Sequence, residues 1–195
     1  MRRKHEKHPN QALSRTVSRF YRATLISSGI LALSLLPLAG QSVTSLKEIR
    51  EAGVVIQKWD ISCGAAALAT VLTYHFNDPV TEQQVAQGLL RQTEPMKVRH
   101  RGGFSLLDMK RYAEERGYRA ISFKGLSFDT LRYFDGPIVP VDFSGYHHYV
   151  VYQGLTPEGE VWVADPAYGN HKISRERFER AWMEGMAFTL LKDKQ

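Results

Sequence analysis

The sequence predicts an α+β fold, with helices first and a mostly antiparallel sheet after them. Two observations carry that expectation. Between about residues 62 and 118, apolar side chains recur at helical spacing, with polar caps before them and glycine after. From residue 119 the period shortens to brief β-branched or aromatic runs parted by turn residues. The chain has no internal repeat and no low-complexity segment.

The elements follow in order. Ser42 to Glu51 is a short polar lead-in with helical character, and Gly53 to Gln57 (GVVIQ) reads as a strand or extended segment. DISCGAAALATVLTYHF predicts a helix from about Ser62 to His75, with Asp60 and Ser62 as candidate N-caps. Ala65, Ala66, Ala67 and Ala69 let that helix pack close to its neighbours. NDPV ends it, and Thr81 caps a second helix through TEQQVAQGLLRQ. Thr93 to Gly103 reads as a loop holding a basic cluster. FSLLDMKRYAEERGY is a third helix, spaced by Leu106, Met109, Lys110 and Ala113 and stopped by Gly117. RAISF, PIVPVDF, HHYVVYQGL and EVWVADP then read as strands. SRERFERAWM is a late helix capped by Ser174, and MAFTLLK is a last strand.

Charge separates the chain into parts. Residues 1–22 hold seven of the 26 basic side chains and one of the 20 acidic ones, so the rest is balanced and the net +6 belongs to the head. A nucleic-acid footprint on the folded part is therefore not supported. The basic head precedes the uncharged run ATLISSGILALSLLPLAG, residues 23–40. A positive n-region, an apolar stretch and small residues after it describe an export signal. The run is also long enough to act as an uncleaved inner-membrane anchor. Expected boundaries are thus 1–22 for the basic n-region, 23–40 for the signal or anchor, 41–53 for a lead-in and 54–191 for the folded domain. Everything from about residue 41 is expected outside the cytoplasm, in the periplasm.

Cys63 is the sole cysteine. Exported proteins use cysteines in pairs, so an odd one is an intermolecular bridge, a reactive thiol or a small buried hydrophobe. Its position favours the second. At the start of a helix the sulfur meets unsatisfied N–H groups and the positive end of the helix dipole, which suits the anionic nucleophile. Nucleophilic catalysis also needs an imidazole, a group to orient it and donors for the oxyanion. His147 and His148 open a strand and face opposite sides of the sheet. A hairpin register pairing Gln153 with Glu160 sets His148 directly across from Asp165, with Cβ atoms about 5 Å apart. Slipping by one residue selects His147 instead. Gln57, six residues before Cys63, supplies a side-chain amide that joins the backbone N–H at the helix start as an oxyanion hole.

Gln57, Cys63-Gly64-x-Ala66, GGFSLLDMKRYAEERGY, HYVV and ADP, in that order, resemble the C39 peptidase family. That resemblance spans about Val54 to Leu191 and implies a papain-like cysteine peptidase fold, its N-terminal helical part packed on the sheet. It implies Cys63 as nucleophile, His148 as base, Asp165 as its orienting partner and Gln57 as oxyanion residue, with no cofactor. It also implies a peptide or protein substrate, cut after small residues such as Gly-Gly. The motif departs from the family at Ser62, where an acidic residue is usual, and the His148 to Asp165 spacing is about one residue longer. With no transporter attached, the domain is similar to exported C39-like proteins of functional-amyloid secretion. This implies partners among outer-membrane or fibre-secretion components.

Other readings stand beside this one. A C39-like domain that docks export substrates without cutting them is the main alternative, and an amidase acting on cell-wall peptides is another. Trp59 and Tyr146 are candidate walls of a narrow substrate cleft. His75, His100 and His171 show no metal-ligand spacing and read as surface or loop residues. Lys97, Arg99, His100 and Arg101 read as a solvated basic run.

Overall fold

The computed structural model describes residues 44–192. The basic head and the apolar run lie outside the described residues. No described helix is long and apolar enough to cross a membrane.

Helix α1 (Leu46–Glu51) opens on a capping box between Ser45 and Glu48. An irregular segment, residues 54–57, leads into α2 (Cys63–Thr70), every residue of which is buried. Its small side chains permit that depth. Thr70 Oγ1 bonds back to the Ala66 carbonyl and accepts the Val55 N–H at 2.9 Å, tying the irregular segment to the helix. The helix widens into a π-helical turn at Val71–His75. Helix α3 (Glu82–Leu90) starts with the Thr81–Gln84 capping box, and α5 (Leu106–Glu115) with the Ser105–Asp108 one.

Between them the expected loop is corrected: residues Pro95–Arg101 form α4. Proline at the first helical position costs no hydrogen bond, and Gly102 closes the turn in the left-handed region at φ 77°. Single-turn α6 (Phe128–Leu131) is a further addition. Helix α7 (Arg175–Ala181) follows its Ser174 cap as expected.

Six strands form one antiparallel sheet in the order β1-β6-β2-β3-β4-β5. They are β1 (Tyr118–Phe123), β2 (Ile138–Phe143), β3 (Tyr146–Leu155), β4 (Val161–Asp165), β5 (Gly169–Ile173) and β6 (Ala187–Lys192). The polar edge strand β5 has no counterpart in the sequence expectation. Two apolar clusters sandwich the sheet. One joins Leu68, Leu72, Leu89, Met109, Ile138, Val151 and Phe188 beneath α2, α3 and α5. The other joins Val139, Val150, Tyr152, Val163 and Phe178 beneath α6 and α7. This is the α+β arrangement expected.

Register needs a second correction. Strand β3 extends to Leu155, which pairs with Val161, and a bulge lies between Tyr152 and Gly154. Beyond the bulge Val151 pairs with Ala164, so continuing the ladder sets Asp165 across from Val150 rather than His148. The expected register is off by two residues at that point. Two is the period of a strand, so the face each side chain occupies is unchanged.

Candidate active site

Two elements meet at the site. Cys63 is the first residue of α2, so its sulfur lies at the end of the helix where free N–H groups cluster. His148 stands near the start of β3, and Asp165 ends β4. The bulge and the sheet twist carry Asp165 diagonally onto His148. His148 Nε2 is 2.7 Å from Asp165 Oδ1, and the two side chains are 1% and 2% exposed.

Asp165 is itself held by its turn. The same Oδ1 accepts the N–H groups of Ala167 at 2.7 Å and Tyr168 at 3.3 Å. That loop fixes the carboxylate before the imidazole reaches it. With Nε2 committed to Asp165, the ring's other nitrogen, Nδ1, is buried and without a hydrogen-bond partner among the described residues. It is the nitrogen left for the neighbouring Cys63. Burial disfavours charge on His148. The hydrogen bond to Asp165 and the adjacent Cys63 sulfur outweigh it and push the imidazole up to about 9. An imidazolium and a helix N-terminus thus both present positive charge to the sulfur.

Tyr146, two residues before His148 on the same face, stacks on its ring with centroids 5.5 Å apart and planes at 26°. It roofs the imidazole against water. Tyr149, on the other face, lines the cavity at Cys63. Burial and then the Cys63 sulfur push its phenol up to about 12, so it remains a donor. Its ring lies 3.4 Å from where a Cβ on Gly64 would stand, so the glycine after the thiol gives the ring its room.

The oxyanion candidate is tied to both halves. The Gln57 backbone N–H donates to the Pro166 carbonyl at 2.8 Å, next to Asp165. Its side-chain Nε2 donates to the Trp59 carbonyl at 3.0 Å. That bond anchors the amide, and Gln57 Oε1 is buried without a hydrogen-bond partner among the described residues. Backbone between Gln57 and Cys63 runs over an exposed turn, residues 58–61, in which Ser62 N–H reaches back to Trp59 O at 3.2 Å.

The α2 cap and two histidine environments differ from expectation. Neither Asp60 nor Ser62 caps α2 with its side chain, and Ser62 instead bonds Glu82. Trp59 and Tyr146 border different hollows. Trp59 borders an apolar cavity of about 480 Å³ with Ile61, Leu90 and Met96, whereas Tyr146 borders one of about 350 Å³ with His148, Asp165 and Arg177. His171 is not a surface loop residue. It sits on β5, its side chain 31% exposed, with Nδ1 3.0 Å from the Gly169 carbonyl and Nε2 3.9 Å from Asp165 Oδ2. His75 is likewise largely buried, 3.3 Å from Asp135. His147 faces out, 3.4 Å from Asp142 and 68% exposed, so His148 is the histidine joined to Asp165.

A third cavity, of about 350 Å³, opens at Cys63 itself, between Gly103, Phe104, Pro140, Tyr149, Met183 and Met186. Nothing in the sequence pointed to Met183 and Met186, because their distance from Cys63 along the chain hides the contact. Among the described residues, no group of three His, Cys, Asp or Glu gathers as a metal site would require. A thiol at a helix start beside a buried imidazole–carboxylate pair is the arrangement that acyl transfer needs.

Comparison with known proteins agrees with that chemistry. A model of the peptidase C39 family matches residues 51–195. A Pseudomonas aeruginosa protein named "Probable functional amyloid protease FapD" is 41% identical over 155 residues, covering 79% of this chain and 67% of its own. Its Pseudomonas fluorescens namesake is 40% identical over 168 residues, covering 84% and 73%. Among solved structures, a double glycine motif protease from an AMS/PCAT transporter, in complex with its leader peptide, superimposes with TM-score 0.58. It is 27% identical, over 70% of this chain and 89% of that one. The peptidase domain of Streptococcus ComA gives TM-score 0.57 and 25% identity, over 72% and 98%.

Proposed function

This chain belongs to the peptidase C39 family of cysteine peptidases, and from that premise we propose that Cys63, His148, Asp165 and Gln57 form its catalytic centre. The observation that carries the reading is His148, bound to Asp165 through Nε2 at 2.7 Å while Nδ1 is left for Cys63.

The Cys63 sulfur attacks the scissile carbonyl carbon. Negative charge moves to the carbonyl oxygen, where the Gln57 amide and the backbone N–H at the start of α2 receive it. The C–N bond then breaks, and His148 gives its Nδ1 proton to the departing amine. A thioester remains. Water attacks it, its proton passes to His148, and the carboxylic product leaves with the Cys63 sulfur restored. Asp165 stays ionised throughout and holds the ring in the one orientation that serves both steps.

We assign the protein to the space outside the cytoplasm, exported by residues 23–40 or anchored by them. Its substrate is a secreted or periplasmic protein connected with amyloid-fibre or adhesin export, cut after small residues. The relatives' names support that assignment, as does the leader peptide bound by the structural neighbour.

The test is a pair of strains, wild type and Cys63→Ala, in which exported proteins are sized and their new N-termini sequenced. Fragments that vanish in the mutant at constant protein level give the substrate and the cut site. Identical fragments, with secretion still dependent on the rest of the domain, would replace peptidase chemistry with substrate docking.

A further inference from the structure

We infer that Glu82 is a positioning residue for the oxyanion hole, acting through the turn that joins Gln57 to Cys63. The inference rests on the roles proposed above for those two residues.

Glu82 is the first residue of α3 and only 3% exposed. That is an unusual place for a carboxyl group. Glutamate in a first helical turn ordinarily faces water, where the dipole favours it, and a buried one is costly unless it is bonded. Helix α3 does not need it as a cap, because Thr81 and Gln84 already form a complete capping box. Glu82 turns instead toward the loop before Cys63. Its Oε1 accepts the Lys58 backbone N–H at 2.8 Å and the Ser62 hydroxyl at 2.5 Å.

Those two bonds bracket the turn. The side chains of residues 58–61 are exposed, so apolar burial does not hold this stretch in place. From Ser62 the network continues inward. The Trp59 carbonyl lies 2.7 Å from Ser62 Oγ, accepts the Ser62 N–H at 3.2 Å and accepts Gln57 Nε2–H at 3.0 Å. The carboxyl group therefore fixes the turn, the turn fixes one carbonyl, and the carbonyl orients the Gln57 amide. Ser62 also precedes Cys63 directly, so the same anchor sets the second donor, the Cys63 N–H. Misplacing such donors by about 1 Å is enough to cost roughly a hundredfold. Asp60, nearer in sequence, is exposed and forms no ion pair or side-chain hydrogen bond among the described residues.

The experiment separates donor geometry from thiol reactivity in the full chain. Hydrolysis of a fluorogenic Gly-Gly-aminomethylcoumarin peptide passes through an oxyanion. Alkylation of Cys63 by iodoacetamide, a displacement at a saturated carbon, does not. Glu82→Ala is expected to lower kcat about 10- to 100-fold, with KM and the alkylation rate changed less than about threefold. Glu82→Gln, whose amide oxygen can still accept from Lys58 and Ser62, is expected to recover most of the loss. Gln57→Ala should show the same split, and the double variant should lose clearly less than the product of the two single losses. Circular dichroism at the assay temperature checks that each variant is folded. Alkylation falling in step with hydrolysis, additive losses, or unchanged hydrolysis in Glu82→Ala would each overturn the inference and leave the catalytic reading intact. A Gln57→Ala variant with full hydrolytic activity, or hydrolysis that survives Cys63→Ala, would overturn the catalytic reading as well.

Discussion

His148 and Asp165 are bonded at 2.7 Å although the ladder does not set them opposite each other. The carboxylate meets the ring along the diagonal of the sheet, two positions from direct pairing. It can do so because the turn at residues 165–168 holds it first. Both groups are sealed from water, so the bond acts at close to full strength.

That bond dominates the expected pH behaviour. With His148 raised from 6.5 to about 9, its imidazolium contributes stability that is fully present below pH 6.5 and is lost as pH rises through about 9. Peptide hydrolysis should therefore fall along an alkaline limb near pH 9. Asp165→Asn keeps an oxygen for the Ala167 and Tyr168 N–H groups but removes the charge. It should shift that limb downward and lower kcat by roughly 10²- to 10⁴-fold. Rate profiles of both proteins between pH 5 and about 10 would check this, and an unmoved limb would show that His148 is not the group titrating.

Cys63→Ala should leave the fold intact. The residue is buried at the end of an alanine-rich helix, and one lost sulfur costs about 1 kcal/mol. Hydrolysis should drop roughly ten-thousandfold. A melting curve near that of wild type, with no turnover, is the expected pair of results.

Tyr146 and Trp59 should separate kinetically. Removing the Tyr146 ring opens the stacked imidazole to water, so Tyr146→Ala should lower kcat about tenfold. Trp59 borders an apolar cavity with Ile61, Leu90 and Met96, so Trp59→Ala should raise KM at nearly constant kcat. Steady-state kinetics on one peptide would decide both.

Asp108 sets acid stability. It is buried, accepts the Ser105 N–H and hydroxyl at 2.8 Å and pairs with Arg101 at 2.7 Å. Burial works against its charge, but these bonds prevail and hold the carboxyl below its usual range. The stability it supplies is present above pH 3.8 and lost as pH falls through its lower folded value. Asp108→Ala should cost about 1–3 kcal/mol at neutral pH and flatten the acid decline in melting temperature. Arg101 also borders the cavity at Cys63, so the same variant should slow hydrolysis mildly.

Much of this was legible in the chain. Strand alternation put His147 and His148 on opposite faces, the assumed hairpin register and the family resemblance pointed to His148, and a two-residue register error left its face unchanged because the side-chain period is itself two. Cys63 declared its place through the small-residue helix behind it. Helix α4 was signalled by Pro95 and Gly102, but its basic content resembled a solvated loop. Strand β5, GNHKI, is polar because it is an edge with one open side, so no apolar pattern announces it. Glu82 and His171 left no signal at all. Each becomes notable only because folding buries it against residues distant in sequence, and a glutamate or histidine carries no mark of the neighbour it will meet.

The hydrogen bond from Gln57 N–H to the Pro166 carbonyl stitches the helical wall of the cleft to the sheet wall at one end. That bond ties the segment before Cys63 to the turn after Asp165, so the two cannot part without breaking it. The Gln57 amide should accordingly be among the slowest to exchange with deuterium in this segment, and more so once a peptide lies in the groove.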